Sequence, residues 1–132
     1  CVDFPTCHGQ WIPETDFTHG FQFFRELGMT SDGAPLSNEA LNAIHWAHRL
    51  GALVTFIYLG FLGHWASRLR RLRGYGMTVL LLLTVQVALG IANIVASLPL
   101  TVAVAHNGVA ALLLIALVVL NFAVRSPSTF RR

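Results

Sequence analysis

This sequence of 132 residues has no lysine, and acids are missing from most of it. All six carboxylates (Asp3, Glu14, Asp16, Glu26, Asp32, Glu39) fall in the first 39 residues, so residues 40–132 contain none. Charged residues are 11% of the chain, where a soluble globular domain carries about 25%. This shortage excludes a soluble enzyme built on paired carboxylates. The missing lysine is read as coding composition, with no function attached. The positive charge is all arginine, eight of the nine lying in residues 40–132. These arginines cluster beside apolar runs and not along a solvated face, so no nucleic-acid partner is expected. A c-type haem is disfavoured because no C-x-x-C-H motif is present. No internal repeat, low-complexity segment or second soluble domain stands out.

What the sequence has in abundance is apolar runs, with 55% of residues hydrophobic. Residues 50–66, 77–98 and 102–124 carry no charge at all. A bilayer core needs about 20 apolar residues in helix, and helix satisfies the backbone internally where no water can. The runs therefore predict an all-α membrane protein with three transmembrane helices, at 38–70, 75–98 and 101–124. Pro35 with Ser37 and Asn38 marks the start of the first. Gly74 and Gly76 are read as breaking the chain before the second, and Pro99 as separating the second from the third. The chain opens at Cys1, within what reads as a loop. The expectation is the C-terminal part of a larger membrane protein, beginning just after an earlier helix.

Orientation follows from the arginines. Arg68, Arg70, Arg71 and Arg73 follow the first span, and Arg125, Arg131 and Arg132 follow the third. The positive-inside rule places that loop and the tail 125–132 in the cytoplasm. Residues 1–37 and the Pro99 turn then lie outside. In that outer segment Cys1 and Cys7, six apart, are the only cysteines. An oxidising compartment allows a disulfide between them; two unpaired thiols, or Cys1 bonded elsewhere, are the alternatives. A zinc site with His8 lacks a clear fourth ligand. Asp16 to Leu27 places Phe17, Phe21, Phe24 and Leu27 on one helical face, which fits either a short interfacial helix or a packed loop.

Of six histidines, His8 and His19 read as loop residues. The others lie on or near spans, where an ionisable group is a functional hypothesis by default. His45 and His48 share one face of the first helix, near its outer end, and Arg49 follows them. His106 lies a few residues after the Pro99 turn, at a similar depth. Imidazoles on two helices at one depth suit a planar macrocycle clamped between them; hydrogen-bonding histidines inside a bundle are the alternative. Arg49 either binds a haem propionate or snorkels to headgroups. His64 lies 16 residues beyond His48, about 24 Å along a helix, and reads as an interfacial residue beside the arginine loop. Gln86, Gly90, Asn93 and Ser97 fall on one face of the second span and read as a packing stripe; contact of Asn93 or Gln86 with a cofactor is the alternative. Gly51, Gly60, Gly63 and Gly108 suggest close approach of helices or of a flat ligand.

Several stretches together resemble the C-terminal half of the haem A synthase family. They are CVDFPTCHGQW at 1–11, FRELG at 24–28, IHWAHRLGA at 44–52, QVALGIAN at 86–93, and the residues from Leu98 to Leu114 around AHNG. The resemblance runs to about residue 124. It implies eight membrane helices in two similar four-helix halves, so that the three spans here are part of a four-helix half-bundle, in the inner (plasma) membrane of a bacterium. It implies an oxidoreductase that converts the C8 methyl of haem O to a formyl group. This half would hold a haem b cofactor with His48 and His106 as axial ligands of the iron and His45 and Arg49 nearby, and Cys1 and Cys7 would match the family's cysteine pair. In the other half a glutamate implicated in catalysis stands three residues before the first histidine; here that position is His45. No catalytic residue is identified, and the chain alone is expected to be inactive. The expected partners are membrane lipid, the N-terminal half of the same protein, and haem O synthase with cytochrome oxidase assembly factors. A b-type electron-transfer module and a non-catalytic assembly protein are the competing readings.

Overall fold

The structure, a computed structural model, describes residues 1, 3–24, 26 and 28–126. Leu27 of the expected interfacial face, and Arg131 and Arg132 of the expected tail, lie outside the described residues. Four helices follow in order: α1 (Phe17–Gly20), α2 (Asn38–Arg68), α3 (Arg73–Val95) and α4 (Leu100–Arg125). The last three are each long and apolar enough to cross a membrane. The fold is all-α, as the apolar runs require. The chain divides into two compact units, Cys1–Val54 and Thr55–Arg132.

In the first unit the N-terminal segment is tied to the opening turns of α2. The Ser37 hydroxyl accepts from the Ala40 N–H at 3.2 Å, an N-cap that satisfies an otherwise orphaned donor. Asp16 N–H donates to Glu39 O at 2.9 Å. Gly20 packs so closely that a Cβ there would lie 2.9 Å from Ala40 O, and Ala40 and Ala43 are completely buried. That approach limits α1. The helix is a single turn capped by the Asp16 carboxylate, and the chain leaves helical geometry at Phe21. Phe17 and Phe21 stack at 6.0 Å, whereas Phe23 and Phe24 follow outside any helix and are over 90% exposed.

In the second unit a core of Leu59, Ala66, Leu72, Val79, Leu83, Leu113 and Leu120 joins the later part of α2 to α3 and α4. Gly74 and Gly76 do not break the chain. Both lie inside α3, and the break is the turn before it, where Leu69 N–H donates to Ala66 O and Leu72 N–H to Leu69 O. Gly76 is needed for contact: a Cβ on it would lie 2.5 Å from Ser67 N and 2.7 Å from Gly63 O. Gly63 is close in turn, with Leu80 Cγ 2.9 Å from its own hypothetical Cβ. Gly51, Gly60 and Gly108 make no such approach to described atoms.

The α3–α4 corner is tight. Ser97 and Leu98 both adopt positive φ, 57° and 58°, and Leu98 N–H returns to Asn93 O at 2.7 Å. Pro99 then supplies a φ of −63° at the cap of α4, where its missing N–H costs nothing. At the other end of α4, Arg71 donates to Ala123 O at 2.9 Å and to Ser126 O. It thereby satisfies carbonyls that a helix terminus leaves open.

Candidate functional site

The first unit organises its cysteine loop from two sides. Cys1 and Cys7 form a disulfide. Inside the loop the Asp3 carboxylate accepts from His8 N–H at 2.6 Å, from Gly9 N–H at 3.0 Å and from the Thr6 hydroxyl. His8 and Gly9 hold positive φ there, 52° and 75°. The Thr6 hydroxyl first, then the Gly9 amide, hold the Asp3 carboxyl down to about 2, because each bond favours the charged form.

From α2, Arg49 gathers the loop's carbonyls. Its Nη1 donates to Pro5 O at 3.1 Å and Thr6 O at 2.8 Å, and its Nη2 donates to Asp3 O at 2.6 Å. The guanidinium also lies 5.7 Å from the Phe4 ring centroid. Only Nε remains buried without a partner. Arg49 is thus engaged with protein backbone, and a propionate contact would have to use Nε or displace a loop carbonyl. Asn42 is the second anchor. It is buried, its amide donates to Glu14 O at 3.4 Å, and its Oδ1 stands 3.6 Å from Cys7 Sγ. A disulfide sulfur has no proton, so this last is a polar contact and not a hydrogen bond. Nothing in the sequence singled out Asn42, because its place opposite the cysteine pair appears only in the folded chain.

His45 and His48 lie on α2 in this same unit, His45 half-buried and His48 exposed. His64 belongs to the second unit, where its Nε2 accepts from Arg68 Nε at 3.4 Å, beside the arginine loop.

His106 is also in the second unit, on α4, and its ring is set against α3. Gln86 Nε2 lies 3.1 Å from His106 Nε2. A Cβ on Gly90 would meet His106 Cε1 at 3.3 Å, so the bare glycine gives the ring its room. Asn93, on the same stripe, is buried at 8% exposure. Three buried atoms here have no partner: Gln86 Oε1, His106 Nδ1 and Asn93 Oδ1. Buried polar atoms are normally satisfied, so this cluster needs an explanation. The stripe therefore does two jobs, packing α3 on α4 and lining the histidine. Ser97 drops out of it, since the chain has left the helix there.

Among the described residues no three His, Cys, Asp or Glu side chains gather into a metal-binding group. A macrocycle brings four nitrogens of its own and needs only single imidazoles on its axis. The donor set of lone histidines, the orphaned polar atoms and the glycine notch all fit a haem.

A family described as cytochrome oxidase assembly protein (COX15-CtaA) matches residues 1–118. A haem A synthase of Shewanella oneidensis is 37% identical over 133 aligned residues, covering 99% of this chain and 40% of that protein. The chain thus spans 40% of the length of that curated relative. No solved structure matches. With a match over residues 1–118, the chain belongs to the COX15-CtaA family of cytochrome oxidase assembly proteins.

Proposed function

We propose that this chain is the haem b-binding part of a haem A synthase, with His48 and His106 as the axial ligands. The whole protein would oxidise the C8 methyl of haem O to the formyl group of haem A, for cytochrome oxidase. The observation that carries the reading is His106, seated on the Gly90 notch with its Nδ1 unpartnered, on the α3 face that also carries the unpartnered Gln86 Oε1 and Asn93 Oδ1. Bound haem b supplies one-electron redox chemistry. The residues that would hold it in this reading are His106 from α4 and His48 from α2, with Gln86 and Gly90 beside His106 and His45 one turn before His48. Arg49 and the disulfide fix the loop beside the turn that carries His48. In this reading the group that oxidises the substrate belongs to the N-terminal half, the expected partner, because His45 stands here at the position where the resemblance places that half's glutamate. Haem O synthase and oxidase assembly factors are the further partners of the reading. In this reading the protein sits in a bacterial plasma membrane, with its cysteine loop outside and the arginine loop in the cytoplasm by the positive-inside rule.

The test is an absorbance spectrum of the full-length protein with His48→Ala and His106→Ala. Each substitution should remove the low-spin, bis-histidine haem spectrum. Unchanged spectra and haem content in both variants would sink the reading.

A further inference from the structure

The turn between α2 and α3 gathers charge that nothing in its own unit balances. Four arginines fall within six residues, at 68, 70, 71 and 73, and residues 40–132 contain no carboxylate side chain to pair with them. Among the described residues none of the four forms an ion pair. Their surroundings divide them by role. Arg71 is committed to the end of α4, where it donates to Ala123 O at 2.9 Å and to Ser126 O. Arg68 turns its Nε to His64 Nε2 at 3.4 Å, which leaves its two Nη groups for another partner. Arg70 and Arg73 are exposed, and among the described residues neither has a hydrogen-bond partner. Arg68, Arg70 and Arg73 line an open cavity of about 410 Å³ together with Ser67 and Met77. Three guanidiniums around one cavity repel one another, and an anion between them removes that repulsion. Each guanidinium is a planar fork that matches two phosphate oxygens at once. Met77 gives the cavity an apolar side that is 54% exposed. The depth is marked independently: Trp65 and Tyr75, each two residues from a lining residue, are exposed, and such rings concentrate at headgroup level in a bilayer.

We propose that this cavity binds the phosphate of an anionic phospholipid headgroup, held by Arg68, Arg70 and Arg73, in the leaflet that the positive-inside rule makes cytoplasmic. Phosphate on one side and hydrocarbon on the other is the combination that three cationic forks and the Met77 wall select. Arg68 ends α2 and Arg73 begins α3, so the lipid bridges the two helices across their turn. Neither His48 nor His106 takes part, and the site does not depend on the haem reading. Arginines that merely snorkel to headgroups act through net charge, which would make Arg125 equivalent to Arg70. A built site makes them unequal, because Arg125 closes α4 and is not among the residues that line the cavity.

The experiment uses the full-length protein in a neutral detergent. Dioleoylphosphatidylglycerol and, separately, dioleoylphosphatidylcholine are titrated in, and lipid-bound species are counted by native mass spectrometry. Wild type should prefer phosphatidylglycerol, a result that needs no variant. Arg70→Gln and Arg73→Gln should each weaken one phosphatidylglycerol site by about fivefold, and the double variant by about 25-fold. Arg125→Gln should leave that site unchanged. Arg70 and Arg73 are exposed, so the unfolding temperature in lipid-free detergent should stay the same, which separates lost binding from lost fold. Wild-type binding of phosphatidylglycerol by the double variant overturns the proposal. So does an Arg125→Gln loss as large as that of Arg70→Gln, or phosphatidylcholine bound as tightly as phosphatidylglycerol. Inorganic phosphate that displaces the lipid at equal concentration would make this a site for the free ion and overturn the lipid assignment.

Discussion

Two glycines in the first turns of α3 should respond to the same substitution in opposite directions. At Gly76 an alanine Cβ would lie 2.5 Å from Ser67 N, 2.7 Å from Gly63 O and 2.9 Å from Ala66 C. All three are backbone atoms, so no side chain can swing aside. Reaching ordinary contact requires the end of α2 and the start of α3 to separate by most of an ångström. That separation opens the core that Ala66 and Val79 close. Overpacking of this kind costs about 1–3 kcal/mol, and backbone-only contacts put Gly76 at the upper end. Against this stands a gain of up to about 1 kcal/mol from replacing glycine by alanine in a helix. Gly76→Ala should therefore destabilise the protein by about 2 kcal/mol. At Gly74 a Cβ meets nothing within 4 Å, so Gly74→Ala keeps the propensity gain alone, about 0.5–1 kcal/mol. The two variants should differ by roughly 3 kcal/mol, read as unfolding of the full-length protein in detergent. Equal stability of the two, or Gly76→Ala the more stable, would refute the close approach of α2 and α3.

Two further outcomes concern the cysteine loop. Arg49→Gln removes a fork that serves three carbonyls, and hydrogen bonds from charged groups contribute about 1.5–3 kcal/mol each at best. The Cys1–Cys7 bond should become at least tenfold more reducible by a phosphine, and Arg49→Lys should not restore it, because one ammonium cannot span three sites; an unaltered reduction rate in Arg49→Gln would count against the clamp. Asp3, with its carboxyl held at about 2 in the folded loop against an ordinary 3.8, contributes stability that is complete above about pH 4 and is lost as pH falls through 2. Reduction of wild type and Asp3→Asn should therefore differ at pH 5 and converge near pH 2; a ratio constant across that range would contradict the assigned role.

The spans were legible because apolar length decides them, and α4 follows its run of uncharged residues closely. The start of α3 was not. Glycine near a helix end signals either a break or a close contact, and only the position of Ser67 and Gly63 shows which applies at Gly76. The same ambiguity works the other way at Gly51, Gly60 and Gly108, which looked alike and touch nothing. Around the histidine, the spacing of Gln86, Gly90 and Asn93 revealed a shared face but not its occupant, since periodicity identifies a stripe and not the residue opposite. Arg49 was recognisable as a fork seeking acceptors. Its acceptors are main-chain carbonyls, which every residue carries and no sequence pattern advertises. The one-turn α1 had a helical pattern through Phe24, overridden where Gly20 meets α2.

The Arg49 clamp also bears on how this loop can change. Its three bonds go to carbonyl oxygens of residues 3, 5 and 6, so none of them depends on the side chains those residues carry. Thr6 and Asp3 have separate work inside the loop, but the clamp itself reads shape and not chemistry. Spelling is therefore loosely constrained and length tightly so. One residue inserted between Cys1 and Cys7 would move the acceptors out of register together, and no single replacement could compensate. Related chains can be sorted on that basis: those that keep an arginine directly after the second histidine should keep the number of residues between their cysteines, however freely the letters between them drift.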